Sequence, residues 1–234
     1  MPHLRIVLVE PQEAGNVGAV ARVMKNFGFE ELWIIGDHPP LEPLAGWWAS
    51  GAEDIVKNAR SVPTLHLAIG DAQITIATTS ARGRKATIDS LPSDVAQQFS
   101  SLKDDETLAL VFGREDRGLT REEVTQCQRT AGVSTNPDFP TMNLAMAVGT
   151  FCYEIGHRPP ATGNLHTDRA NAAIIERLHE RAESLLLEVG FLHANNPDRI
   201  YGDLRAIAGR ADLNAREATI LLGVIHQIEW KLRQ

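Results

Sequence analysis

Apolar residues fall in short dense blocks over the first two thirds of the chain and at helical spacing over the last third. Leu4 to Val9 is an apolar run broken by one residue, Arg5, and it leads through a glycine-bearing turn into a helical pattern. Such a run without polar alternation predicts a strand buried on both faces, as in a parallel sheet. The block recurs at Leu32 to Ile35, Ile74 to Thr78, Thr107 to Phe112 and Gly132 to Thr135. The spacing between blocks predicts helices near 16–28, 52–60, 93–102, 120–128 and 143–156. Strands alternating with helices predict an α/β fold, a parallel sheet with helices on both faces.

His157-Arg158-Pro159-Pro160-Ala161-Thr162-Gly163-Asn164 ends the last of these helices, since its prolines cannot continue one. The expected organisation is a first domain over 1–157, a linker over 158–166 and a helical extension over 167–234. In the extension, Ile174, Ile175, Leu178, Leu185, Leu186 and Val189 form a 3.6-period face between Asp168 and Val189, and helical patterns follow at 198–209 and 214–233. Three helices make a thin core alone, so the extension is expected to pack on the first domain or on a second subunit. Trp47 and Trp48, adjacent in sequence, are expected in a core or an interface.

Charge alters this picture. The net charge is -7, and residues 1–157 carry 13 Lys and Arg against 20 Asp and Glu, while the remainder carries 10 of each. Bulk attraction to nucleic acid is therefore excluded, and any RNA must be met by local clusters such as Arg82, Arg84 and Lys85 or Arg114, Arg117 and Arg121. No stretch of about 18 apolar residues and no basic leader occurs, so no membrane span is expected and the cytoplasm is the expected compartment. Cys127 and Cys152 lack metal-ligand spacing, Cys152 falls in an apolar helix as a buried thiol, and no metal is expected.

Three loops carry the candidate chemistry. The first, Gly15-Asn16-Val17-Gly18-Ala19-Val20-Ala21-Arg22, follows the first strand; with Asp37 beyond the second strand it approaches a dinucleotide-binding pattern. Its glycines are spaced G-x-x-G rather than G-x-G-x-x-G, so a nicotinamide-dependent oxidoreductase is a remote alternative. Asn16 could face a ligand or cap the helix; Arg22 could face an anion or be a surface charge. The second loop, Gly113-Arg114-Glu115-Asp116-Arg117-Gly118-Leu119, packs four charged residues between two glycines. Glycines admit close backbone approach, and the two arginines could hold Glu115 as an ionised acceptor. The third loop, 135–142, turns directly into an apolar helix with Asn143 at its mouth, where unpaired N–H groups face a ligand.

This ordered set, Asn16 and Arg22, then Gly113, Glu115 and Gly118-Leu119, then Thr141-Met142-Asn143-Leu144, resembles the SpoU branch of the SPOUT methyltransferases. The segments RIVLVE, TTSAR, LALVFGRED and NLAMAV, with Glu188-Val189-Gly190-Phe191 and Asn196-Pro197 in the extension, extend the resemblance over nearly the whole chain. It departs at Thr141, where relatives often have serine, and at Pro140 before it; threonine keeps the hydroxyl. The resemblance implies a carboxyl-terminal trefoil knot, a homodimer and S-adenosylmethionine as cofactor. It is to the members that methylate the ribose 2'-oxygen of the pyrimidine at position 32 in the tRNA anticodon loop. A sister specificity for another tRNA position or for rRNA, or a non-catalytic RNA-binding relation, remains an alternative. By position, the implied cofactor-binding residues are Thr79, Ser80, Ala81, Gly113, Val133, Thr141, Met142 and Leu144. The implied catalytic residues are Arg22, Asn16, Glu115 and Asn143, with tRNA met by Arg82, Arg84, Lys85, Arg114 and Arg117.

Overall fold

A computed structural model describes residues 1–80, 88–157, 169–192, 197–211 and 213–234. The expected linker 158–166 lies outside the described residues, as do Ala81, Arg82, Arg84 and Lys85. Six strands, β1 (His3–Val9), β2 (Glu31–Ile35), β3 (Arg60–Val62), β4 (Ile74–Thr78), β5 (Thr107–Phe112) and β6 (Arg129–Ala131), form one sheet in the order β3-β2-β1-β5-β4-β6. Every pairing is parallel. The helices are α1 (Ala14–Asn26), α2 (Leu44–Ala49), α3 (Glu53–Asn58), α4 (Leu65–Ile69), α5 (Pro92–Ser100), α6 (Arg121–Gln126), α7 (Leu144–His157), α8 (Ala172–Glu188), α9 (Pro197–Ala211) and α10 (Ala215–Leu232).

The two-faced burial expected of β1 is realised through its alternation. Leu4, Ile6 and Leu8 point to a core shared with α1, α2, α3, α5 and α7, and Val7 and Val9 point to a second core with α4 and the start of α6. Arg5 faces the second side and is buried. Its guanidinium is bound by Glu31 at 2.7 Å, by Asp71 at 2.5 Å and by the Ala68 carbonyl at 2.7 Å, so a charge inside a hydrophobic strand keeps all its partners.

Two edge strands differ from the sequence expectation. The strand expected at Gly132 to Thr135 lies instead at Arg129–Ala131, paired with Ile76 to Thr78; the later residues leave the ladder and wall a cleft. β3, α2 and α4 were not expected, because three to six residues are too few for a period to register. Trp47 and Trp48 are not in the core: they lie on α2 with 73% and 59% of their surface exposed.

The extension packs on the first domain. The Ala172 and Ala173 N–H groups donate to Ala72 and Gly70 carbonyls, both at 2.9 Å, and Arg205 Nε donates to the Thr125 carbonyl at 3.1 Å. Between α8 and α9, His179 is buried with its ring edge-on to Tyr201, whose hydroxyl donates to the His179 carbonyl. Burial, with Arg205 nearby as a lesser cause and Glu176 opposing, depresses the imidazole pKa from 6.5 to about 4. The unfolded chain then binds the extra proton between those values, so stability is full above pH 6.5 and is lost as pH falls toward 4. We expect thermal unfolding to show a loss on the order of 3 kcal/mol across that window, and His179→Gln to flatten its slope.

Candidate active site

After β6 the chain returns across the sheet so that α7 packs between α1 and α5. This return encloses a cleft of about 310 Å3 at the carboxyl ends of β4 and β5, where parallel sheets place their ligands. Phe112, Leu119, Val133, Leu144 and Phe151 supply apolar lining, and Thr79, Ser80 and Thr141 supply hydroxyls. Seven of the eight residues expected at a cofactor site line this one cleft: Thr79, Ser80, Gly113, Val133, Thr141, Met142 and Leu144. Ala81 is outside the described residues.

Glycine is required at Gly113, where a Cβ would stand 2.2 Å from the Gly118 carbonyl carbon and the Leu119 nitrogen. The loop closes on itself there, with the Gly118 N–H donating to the Arg114 carbonyl at 2.9 Å and Gly118 at a φ of 69°. Pro140 is buried in the cleft wall, and its carbonyl accepts from the Thr135 hydroxyl at 3.2 Å, which clips the third loop.

Three of the four expected catalytic residues meet at the rim. Asn143 caps α7, its Oδ1 accepting from Ala145 N at 2.9 Å and Met146 N at 3.4 Å. That fixes the amide orientation, so Nδ2 donates to Asn16 Oδ1 at 3.0 Å. Asn16 Nδ2 in turn donates to Glu115 Oε1 at 3.0 Å, and Glu115 Oε2 accepts from Gln12 N at 2.9 Å. The donors run from Asn143 through Asn16 to the Glu115 carboxylate, and each carboxamide has a second N–H that can be given to a ligand. Asn16 does not cap its helix; it is the third residue of α1, whose N-cap is Glu13.

Arg22 does not join this chain. It is exposed and absent from the cleft lining. Six residues after Asn16 on a helix of 3.6 residues per turn, it lies roughly a third of a turn away around the axis. Its stripe holds Gly15, which abuts Trp48, whereas Val23 and Phe27, near the line of Asn16, face α7. The glycines of this segment serve packing: a Cβ on Gly18 would stand 2.1 Å from the Ala45 carbonyl oxygen. They open no phosphate cradle, and Asp37 is exposed in the loop after β2, so the oxidoreductase alternative loses its basis.

The arginines also require correction. Arg114 was expected to meet RNA, but it is only 6% exposed. Its Nε donates to Glu10 Oε2 at 2.6 Å, and NH1 and NH2 donate to the two oxygens of Glu123, both at 3.0 Å. These carboxylates raise its pKa further, so it stays charged and fixed. The carboxylate held by the arginines is thus Glu10, not Glu115; Arg114 in turn holds the Glu10 carboxyl below the usual range. Arg117 is exposed at the cleft mouth, 3.5 Å from Glu10. Glu10, Gln12 and Glu123 are the participants sequence reasoning missed. Among the described residues no group of His, Cys, Asp and Glu could hold a metal ion, and no helix is long and apolar enough to cross a membrane. Cys152 is buried and free, and burial pushes its thiol up to about 12.

The SpoU rRNA Methylase family model matches residues 3–153. The tRNA (cytidine/uridine-2'-O-)-methyltransferase TrmJ of Cronobacter sakazakii is 34% identical over 238 residues, covering 98% of this chain and 97% of that protein. TrmJ from Z. mobilis ZM4 aligns in structure with a TM-score of 0.81 at 30% identity, covering 98% of this chain and 99% of that one. The SpoU methyltransferase AviRb from Streptomyces viridochromogenes, solved in complex with AdoMet, aligns with a TM-score of 0.52 at 21% identity over 66% and 59% of the two chains, a likeness of fold alone. The matched span holds all three converging loops and the cleft between them, and the protein belongs to the SpoU methylase family.

Proposed function

We propose that this protein methylates the ribose 2'-oxygen of a tRNA pyrimidine, the one at position 32 of the anticodon loop, using S-adenosylmethionine. The observation that carries this is the Asn143, Asn16 and Glu115 chain at the rim of a glycine-walled cleft. The cleft fits the cofactor in kind: adenosine needs an apolar slot and a few backbone or hydroxyl partners, which Phe112, Leu119, Val133, Thr79 and Thr141 offer. When bound, S-adenosylmethionine supplies an activated methyl whose departure leaves a neutral thioether. The protein's own task is then alignment of the ribose and stabilisation of charge on its oxygen. Asn16 and Asn143 present N–H groups for that oxygen, held in register by Glu115, as the hydroxyl proton leaves to solvent.

Arg22, exposed on α1, meets the RNA from outside the cleft. A guanidinium is a planar fork of donors with no acceptor, so its role is bidentate grip of a phosphate or hydroxyl and not proton abstraction. Arg22→Lys is expected to cut the single-turnover rate at least about tenfold with tRNA affinity kept, because an ammonium cannot reproduce the two-pronged contact. A retained rate contradicts the grip.

The reading includes a knotted first domain over 1–157, a helical extension over 167–234, a cytoplasmic location and a homodimer. Met146 and Tyr153, exposed by 67% and 53% on α7, are apolar surface that a second copy would cover. A second reading, the same chemistry on a ribosomal RNA ribose, is favoured by the description of the family. Single-turnover methylation of unmodified tRNA transcripts tests the proposal: transfer is expected with ribose at nucleotide 32 and none with deoxyribose there. Undiminished transfer to the deoxy substrate refutes it.

A further inference from the structure

Glu10, directly after β1, has a φ of 44°, in the left-handed region where a residue with a Cβ persists only under enforcement. Its N–H donates to the Ile35 carbonyl at 2.8 Å. Gly36, itself at a φ of 71°, leaves room for its side chain: a Cβ there would come within 2.9 Å of Glu10 Cγ. The turn sends the Glu10 carboxylate to the second loop, onto Arg114 at 2.6 Å and Arg117 at 3.5 Å. The neighbouring Glu115 crosses the other way, onto Gln12 N and Asn16. The two loops therefore exchange carboxylates, and Glu123 fixes the far side of Arg114 to α6.

We infer that Glu10 is a positioning residue for methyl transfer: by holding Arg114 and Arg117 it fixes the 113–118 loop, and with it the register of Glu115 on Asn16 and one wall of the cleft. This rests on the methyl-transfer reading above, so the test has one arm that needs no RNA. Calorimetric affinity for S-adenosylhomocysteine and single-turnover transfer to unmodified tRNA are measured on the full chain. Glu10→Gln removes the charge at constant size. Glu10→Gly removes the carboxylate while relieving the left-handed backbone, which offsets part of the stability lost with the Arg114 contact. Both are expected to weaken S-adenosylhomocysteine binding about tenfold and to slow transfer about 10- to 100-fold, and Glu10→Asp is expected to restore part of each. In a Glu115→Gln background the further loss from Glu10→Gln is expected to shrink below about threefold, since both changes free the same 113–118 loop. Parent-like affinity and rate in Glu10→Gly, or losses that simply multiply in the double variant, overturn the assignment. If the parent binds S-adenosylhomocysteine but methylates no tRNA, the substrate reading fails, and the affinity arm alone decides the role of Glu10.

Discussion

Asn16→Ala is expected to lower the single-turnover methylation rate by about 10²- to 10³-fold, the range seen when one preorganised donor to a developing oxyanion is removed. Asn16 is the middle of the rim chain, donating a hydrogen bond to Glu115 and accepting one from Asn143, each at 3.0 Å. Its loss leaves Asn143 still capping α7 through Oδ1 and Glu115 still held by Gln12 N. The fold should therefore lose about 1 to 3 kcal/mol, the worth of two net hydrogen bonds, and the protein should stay folded under assay conditions. S-adenosylhomocysteine affinity should also persist, because Asn16 does not line the cleft. A variant within threefold of the parent rate would remove Asn16 from the chemistry.

Gly113→Ala is expected to abolish measurable cofactor binding and to destabilise the protein by about 3 kcal/mol or more, at or beyond the upper end of overpacking costs. The added methyl would meet backbone 2.2 Å away, and that backbone has little freedom to retreat. The Arg114 to Gly118 bridge closes the loop, and Arg114 anchors it to Glu10 and Glu123. For a chain of this size the cost corresponds to a fall in melting temperature of roughly 6 to 12 °C. Gly118→Ala is the control: nothing lies within 4 Å of its Cβ position, so only the left-handed φ opposes it, at about 1 to 2 kcal/mol. Equal effects of the two substitutions would mean that strain, not obstruction, governs the loop.

These two positions also show what could be learned from sequence. β1, β2, β4 and β5 were legible because buried parallel strands leave near-continuous apolar runs, whereas β3 and β6 are three-residue edge strands carrying Arg60 and Arg129. Asn16, Glu115 and Asn143 were legible only as an ordered set; their contact joins residues 99 and 127 positions apart, which no local pattern encodes. Arg114 was misassigned because a charge between glycines reads as surface, and its burial depends on Glu10 and Glu123 from two other segments. Glu10 carries no motif. Its signal is a left-handed φ facing Gly36, visible only in three dimensions.

The most direct measurement is nucleotide-resolution mapping of 2'-O-methyl groups in total RNA incubated with the protein and S-adenosylmethionine. One new methyl on the ribose of the pyrimidine at tRNA position 32, absent with Asn16→Ala, is the predicted result. Methylation of a base, or no new 2'-O-methyl group from folded protein that binds the cofactor, would contradict a site built from Asn16, Glu115 and Asn143 around an RNA sugar.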